Sequence, residues 1–433
     1  MSDSPSTGTR LDPWFGAYAA RAHGMKASET RALFAVANRP EVVSLAGGMP
    51  NIAGLPLEIL SKVTADLIAA EGTVALQYGN GQGHPVLRDH IVGVMGLEGI
   101  EAHSDDVVVT TGSQQALDLV TRIFVDPGDV IVAESPSYVG ALSVFRGYEA
   151  TVVHVAMDSD GLVPEALREA LGRCRREGRC VKLLYTAPTF HNPAGVSLSV
   201  DRRTEVLEIC RRENVLVLED NPYGLLGFDG TVFPAIRSHD SEGVIYLGTF
   251  SKTFAPGYRV GWATAPRAVR EKLVLASESA ILCPSHASQL SVAAYLEKCD
   301  WKGQIAAYRE MYRERRDAMI GSLSELLPQC SWNVPNGGFY TWVGLPPGVD
   351  ARTMLPRAIA ALVAYVSGSA FYADGQGADH MRLSFCYPTP QRIREGVRRL
   401  AGVVERELEM VQMFGREDSL PDGDLEGPSP GLL

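Results

Sequence analysis

Between about residue 107 and residue 250 the chain alternates short β-branched runs with segments of helical periodicity, and nothing else in it limits the fold as strongly. Val107–Thr110, Val130–Ala133, Thr151–Val155, Lys182–Tyr185, Val215–Leu218 and Val244–Leu247 read as strands. Gln115–Phe124, Pro164–Arg173 and Arg202–Glu213 carry apolar residues at helical spacing between them. Runs without polar alternation suit strands covered on both faces, so the pattern predicts a mostly parallel sheet flanked by helices. From about Trp301 the pattern changes to a long charged helix over Ile305–Leu326, a strand within Gly337–Val343, another helix, and a strand over Met381–Phe385. That reads as a smaller α+β domain. The expected organisation is a polar, disordered tail over 1–12, an arm belonging with the small domain over 13–50, a large domain over 51–300, a small domain over 301–415, and a disordered tail rich in Pro, Gly and acidic residues over 416–433.

A net charge of −11 disfavours nucleic acid or an anionic membrane as the main partner, although a few local cations still suffice for a small anion site. The seven cysteines include no CxxC pair, which argues against a zinc site or disulfide framework and suits reduced thiols in a cytoplasm. Met1–Arg10 lacks the apolar core of a signal peptide, and the longest apolar stretch, Ala358–Val366, is far too short for a bilayer. A soluble protein is expected.

The polar residues of interest fall at strand ends, where open α/β sheets bind ligands. After Val107–Thr110 comes Gly112-Ser113-Gln114, a turn into a helix whose free N–H groups and dipole favour an anion; taken alone, Ser113 is an ordinary helix cap. Thr249-Phe250-Ser251-Lys252 follows another strand, with Arg259 seven residues after Lys252; hydroxyls and an arginine around a lysine suit a carbonyl cofactor that carries a phosphate. Asp220 ends the run Val215–Leu218. In isolation it would cap a helix, but a carboxylate beside a pyridine nitrogen is what pyridoxal 5′-phosphate (PLP) chemistry requires. Tyr223, and Asn192 of Asn192-Pro193-Ala194-Gly195, suit contacts with the ring oxygen; Asn-Pro-x-Gly alone signals only a turn.

In this order and spacing the motifs resemble those of the fold type I PLP-dependent aminotransferases of class I/II, over roughly Ser28 to Val404. Val43–Pro50 (VSLAGGMP) is similar to the 2-aminoadipate/kynurenine branch. The resemblance implies an α/β fold with a mostly parallel seven-stranded sheet in the large domain. It implies that Lys252 carries the cofactor covalently and then moves the substrate proton, that Asp220 pairs with the ring nitrogen, and that Asn192 and Tyr223 contact the ring oxygen. Ser113, Gln114, Thr249, Ser251 and Arg259 would hold the phosphate, and Tyr138 would stack on the ring. Tyr78 corresponds to a tyrosine reaching the phosphate of a neighbouring subunit, which implies a homodimer. Arg382 would grip the substrate α-carboxylate with Gly47 against the substrate, and Arg31 matches a position that binds a distal carboxylate, its plainer reading being an exposed helical arginine.

The implied activity is exchange of an amino group between an aminoadipate-like, aromatic or branched amino acid and a 2-oxo acid such as 2-oxoglutarate, by a ping-pong route. His191 and Ala194 depart from the branch's usual Gln and Thr, and neither is expected to touch an assigned role. Alternatives are another PLP reaction, by a β-lyase or synthase, and a PLP-binding regulator; only about 27 residues precede the matching segment, too few for the winged-helix domain of such regulators. Gly79–Gly83 lacks dinucleotide-loop spacing.

Overall fold

The computed structural model describes residues 12–23 and 39–414. The first strand, β1 (Val43–Ser44), precedes a group formed by β2 (Val107–Thr110), β3 (Val130–Ser135), β4 (Thr151–Asp158), β5 (Gly161–Leu162), β6 (Val181–Thr186), β7 (Leu216–Asp220), β8 (Val244–Thr249) and β9 (Gly261–Thr264). These eight form one sheet in the order β2-β9-β8-β7-β6-β3-β4-β5. Strands β8, β7, β6, β3 and β4 are mutually parallel, whereas β9 runs antiparallel to both neighbours. The strand beyond the expected seven is β5, a two-residue antiparallel pairing at the edge of β4.

Period-two packing explains why the strand runs are continuously apolar. Ile131, Ala133, Leu183, Leu218 and Ile245 enter one core, under helices 113–124, 139–147 and 267–281. Their neighbours Val130, Val132, Leu184, Val217 and Val244 enter another, under helices 164–176 and 200–212. Each fully buried aliphatic side chain contributes about 1.5–3 kcal/mol, so both faces are built mainly of aliphatic residues. The parallel strands deliver Ser135, Thr186, Asp220 and Thr249 to one edge of the sheet. Because β9 is reversed, its first residue, Gly261, meets the turn after β2; a Cβ there would lie 2.6 Å from the carbonyl carbon of Gly112.

The second sheet has four strands in the order β10 (Ser331–Trp332), β11 (Tyr340–Gly344), β14 (His380–Ser384) and β13 (Val366–Ser367). Strand β1 pairs with β12 (Val363–Ala364). The bond from Ser384 N to Leu45 O (2.7 Å) extends that attachment and sends residues 48–50 toward the edge of the large sheet. The long helix begins at Trp301 rather than Ile305, because the Asp300 carboxylate accepts from Gly303 N at 2.9 Å and caps it earlier. Arg392 and Arg399 donate to backbone carbonyls of Pro40, Val42, Glu41 and Leu362, fastening the N-terminal segment to helix 390–414. All seven cysteines are unpaired. Among the described residues no helix is long and apolar enough to cross a membrane.

Candidate active site

A cavity of about 400 Å³ opens at the carboxyl edge of the large sheet, under residues 48–50 and β14. Ser113, Gln114, Tyr138, Asn192, Asp220, Tyr223, Thr249, Ser251, Lys252, Arg259 and Arg382 all line it. The topology thus collects eleven sequence-expected residues from five loops and a strand of the second sheet.

At one end the groups suit an anion. Gly112, at φ +78°, turns β2 into the helix that starts at Ser113, so the first free N–H groups of that helix face the cavity. Thr249 Oγ1 lies 3.0 Å from Ser251 Oγ, and Ser251 Oγ accepts from Arg259 Nη1 at 3.2 Å. Arg259 Nη2 reaches Thr111 O at 3.3 Å, and a Cβ on Gly112 would fall on this guanidinium. Hydroxyls, a fixed cation and a helix N-terminus converge there. Gln114 donates to Gly140 O at 3.1 Å and accepts from the Tyr138 hydroxyl at 3.3 Å, which fixes the Tyr138 ring over the cavity.

The cavity also holds two ionisable groups whose charged forms burial disfavours. Asp220 Oδ2 accepts from the Tyr185 hydroxyl at 3.0 Å, while Oδ1 is buried with no partner. Burial raises the Asp220 pKa to about 6, against the lowering effects of the Tyr185 bond and then of His191 and Lys252. Lys252 Nζ donates to Gly48 O at 2.9 Å and lies 5.8 Å from the centre of the Phe339 ring. Burial lowers its pKa to about 8, helped by the Arg382 and Arg259 cations and opposed by Cys386. A buried carboxylate oxygen without a donor is costly, and a ring N–H⁺ is the kind of partner that removes the cost. The residues present therefore fit a phosphorylated pyridine aldehyde: an anion cradle, a free carboxylate oxygen and a poised amine line one cavity.

Arg382, opposite Trp342 in the β11–β14 ladder, is buried between the Tyr340 and Phe371 rings at 4.2 and 5.0 Å. Its Nη1 donates to Asn192 Oδ1 at 2.9 Å and its Nη2 to Ala46 O at 2.6 Å, while Nε is buried without a partner. Tyr223 donates to the Tyr340 hydroxyl at 3.4 Å.

Three expected residues stand apart. Gly48 lines the cavity, whereas the Gly47 carbonyl faces Cys386 Sγ at 3.7 Å. Tyr78 is 77% exposed and outside the cavity wall. Arg31 lies outside the described residues. Conversely, Tyr185 lines the cavity without having been assigned a role, because in sequence it looks like strand core.

With this geometry in hand, the protein's class follows: the chain belongs to the aminotransferase class I and II family, whose model matches residues 41–400. The aromatic-amino-acid aminotransferase 1 of Thermococcus litoralis is 41% identical over 90% of this chain and 94% of that protein. The 2-aminoadipate transaminase of Thermus thermophilus is 34% identical over 92% and 99%. Among solved structures, the Pyrococcus horikoshii kynurenine aminotransferase, in complex with PMP, kynurenine and its product, superimposes with a TM-score of 0.86 at 39% identity, covering 90% of this chain and 97% of that one. The chain is thus an amino acid transaminase of the PLP-dependent fold type I.

Proposed function

We propose that the protein exchanges an amino group between an aromatic, aminoadipate-like or branched L-amino acid and a 2-oxo acid such as 2-oxoglutarate, by a ping-pong route with Lys252 as the catalytic residue. The observation that carries this reading is the partnerless Asp220 Oδ1 in the same cavity as a lysine lowered to about 8. When bound, PLP supplies an aldehyde that reacts with amines and a cationic ring that accepts the electrons released at the substrate Cα.

The chain's own residues do the rest. Ser113, Gln114, Thr249, Ser251 and Arg259 hold the phosphate; Asp220 keeps the ring nitrogen protonated; Asn192 and Tyr223 serve the ring oxygen, and Tyr138 covers the ring. Arg382 presents a planar guanidinium to the substrate α-carboxylate, its direction fixed by the two rings that sandwich it. Lys252, with a substantial neutral fraction near pH 8, takes the proton from the substrate Cα and returns it on the opposite side of the exchange. Gly48 forms the backbone wall on the substrate side, with Gly47 next to it in the chain. Arg31 serves a distal carboxylate, so Arg31→Ala should weaken dicarboxylic substrates more than apolar ones.

The same reading makes the protein a cytoplasmic homodimer in which the exposed Tyr78 of each copy completes the other copy's phosphate site. It also divides the chain into an arm over 13–50, a large cofactor domain over 51–300 and a small domain over 301–415.

The test is spectroscopic. The purified, cofactor-loaded protein should show a visible band that borohydride fixes onto Lys252. Glutamate should replace that band with the pyridoxamine phosphate absorption, and 2-oxoglutarate or an aromatic 2-oxo acid should restore it. A band that glutamate and every other amino donor leave in place would refute transamination.

A further inference from the structure

The Asp220 carboxylate divides its two oxygens between different tasks. Oδ1 has no partner, and Oδ2 accepts the Tyr185 hydroxyl at 3.0 Å. Tyr185 is itself fully buried in β6, its ring held edge-on to Phe145 at 5.4 Å, and it borders the cavity. Asp220 occupies the last position of the adjacent strand β7. Two side chains fixed on neighbouring parallel strands leave the carboxylate little freedom to rotate, so the bond at Oδ2 determines where Oδ1 points.

We propose that Tyr185 is a positioning residue for cofactor binding: its hydroxyl orients Asp220 and holds it as the anion that a ring N–H⁺ requires. The other titratable groups acting on Asp220 are His191 in the turn after β6, Lys252 after β8, Tyr138 after β3 and Tyr246 on β8. Among the described residues only Tyr185 makes a side-chain hydrogen bond to this carboxylate. Its hydroxyl is also the largest influence opposing burial there. Removing it takes a donor from a buried charge and raises the proton affinity of Asp220 further, so cofactor binding should begin to fail at a higher pH than in the native protein.

The inference rests on the PLP reading above, and a double-mutant cycle on the full-length protein separates the two. PLP affinity of the stripped protein is measured by fluorescence or absorbance titration between pH 5.5 and 8.5 for the native protein, Tyr185→Phe, Asp220→Asn and the double variant. Tyr185→Phe retains the buried ring and should weaken binding about tenfold at pH 7, the typical loss of one hydrogen bond to a charged group, and by more at pH 6. In the Asp220→Asn background the same substitution should change affinity less than about twofold, because there is no charge left to hold. Equal losses in both backgrounds, or a lower unfolding temperature with unchanged affinity and pH profile, would make Tyr185 a packing residue and overturn the inference. Failure of the native protein to bind PLP at all would instead overturn the cofactor reading.

Discussion

Replacing Asp220 with Asn should stabilise the cofactor-free protein while weakening its hold on PLP. Burial lifts the Asp220 pKa from an ordinary 3.8 to about 6. Below about pH 4 the carboxyl is protonated in both folded and unfolded chains, and the substitution is nearly neutral. Between about pH 4 and 6 the unfolded chain loses the proton while the folded chain retains it, so stability falls as pH rises. Above about pH 6 the loss is complete. A gap of about 2 pH units at 1.36 kcal/mol each gives about 3 kcal/mol. Asparagine has the same shape, carries no charge, and can still accept from Tyr185.

The assay is thermal unfolding of stripped native and Asp220→Asn protein from pH 4 to 8.5. For a chain of this length about 2 °C per kcal/mol is appropriate, so the variant should unfold about 6 °C higher at pH 8 and at nearly the same temperature at pH 4. Glu98 is buried, bonded to Tyr246 and Asn221, and raised to about 7; it destabilises with the same sign, but it is present in both proteins and cancels in the difference. With PLP added the order should reverse. A variant that unfolds at or below the native temperature at pH 8 without cofactor would refute the claim that burial holds this carboxylate at a cost.

Three further outcomes follow from the same geometry. Acylation of Lys252 in the stripped protein, read by peptide mass spectrometry, should rise with a midpoint near pH 8 rather than that of an exposed lysine, since burial favours the neutral amine. Arg382→Lys retains the charge but loses the planar fork, and should lower kcat/KM for the amino donor by about a hundredfold, with cofactor affinity little changed. Gly112→Ala places a Cβ against the Arg259 guanidinium at a backbone φ of +78°; it should destabilise the protein by about 1–3 kcal/mol and weaken PLP binding at least tenfold by calorimetry.

The large sheet was legible because strands buried on both faces must be apolar throughout, so each run stands out against the helices. β5 and β9 were not: one has two residues, and Gly261-Trp262-Ala263-Thr264 contains no β-branched run. The residues lining the cavity were legible for a related reason, since ligand groups sit where parallel strands end and their order along the chain survives folding. Contacts across strands leave no such trace. Tyr185 reads as one more apolar strand residue, yet its hydroxyl reaches Asp220 on the next strand. His191, expected to touch no assigned role, lies buried with Nε2 3.2 Å from Glu134 Oε2, accepts from Ala194 N through Nδ1, and acts electrostatically on Asp220.

The two groups that matter most, Asp220 and Lys252, are both pushed toward neutrality by burial. Burial outweighs the counter-charge that each supplies to the other. The about 3 kcal/mol assigned to Asp220 has a natural scale for comparison. A ligand that binds only the folded state at a hundred times its Kd stabilises that state by about 2.7 kcal/mol. PLP at about a hundred times its Kd, which is near-complete saturation, therefore roughly offsets the burial of this one carboxylate, and the folding cost of the site and its affinity for the cofactor have a common origin in the unpartnered Oδ1.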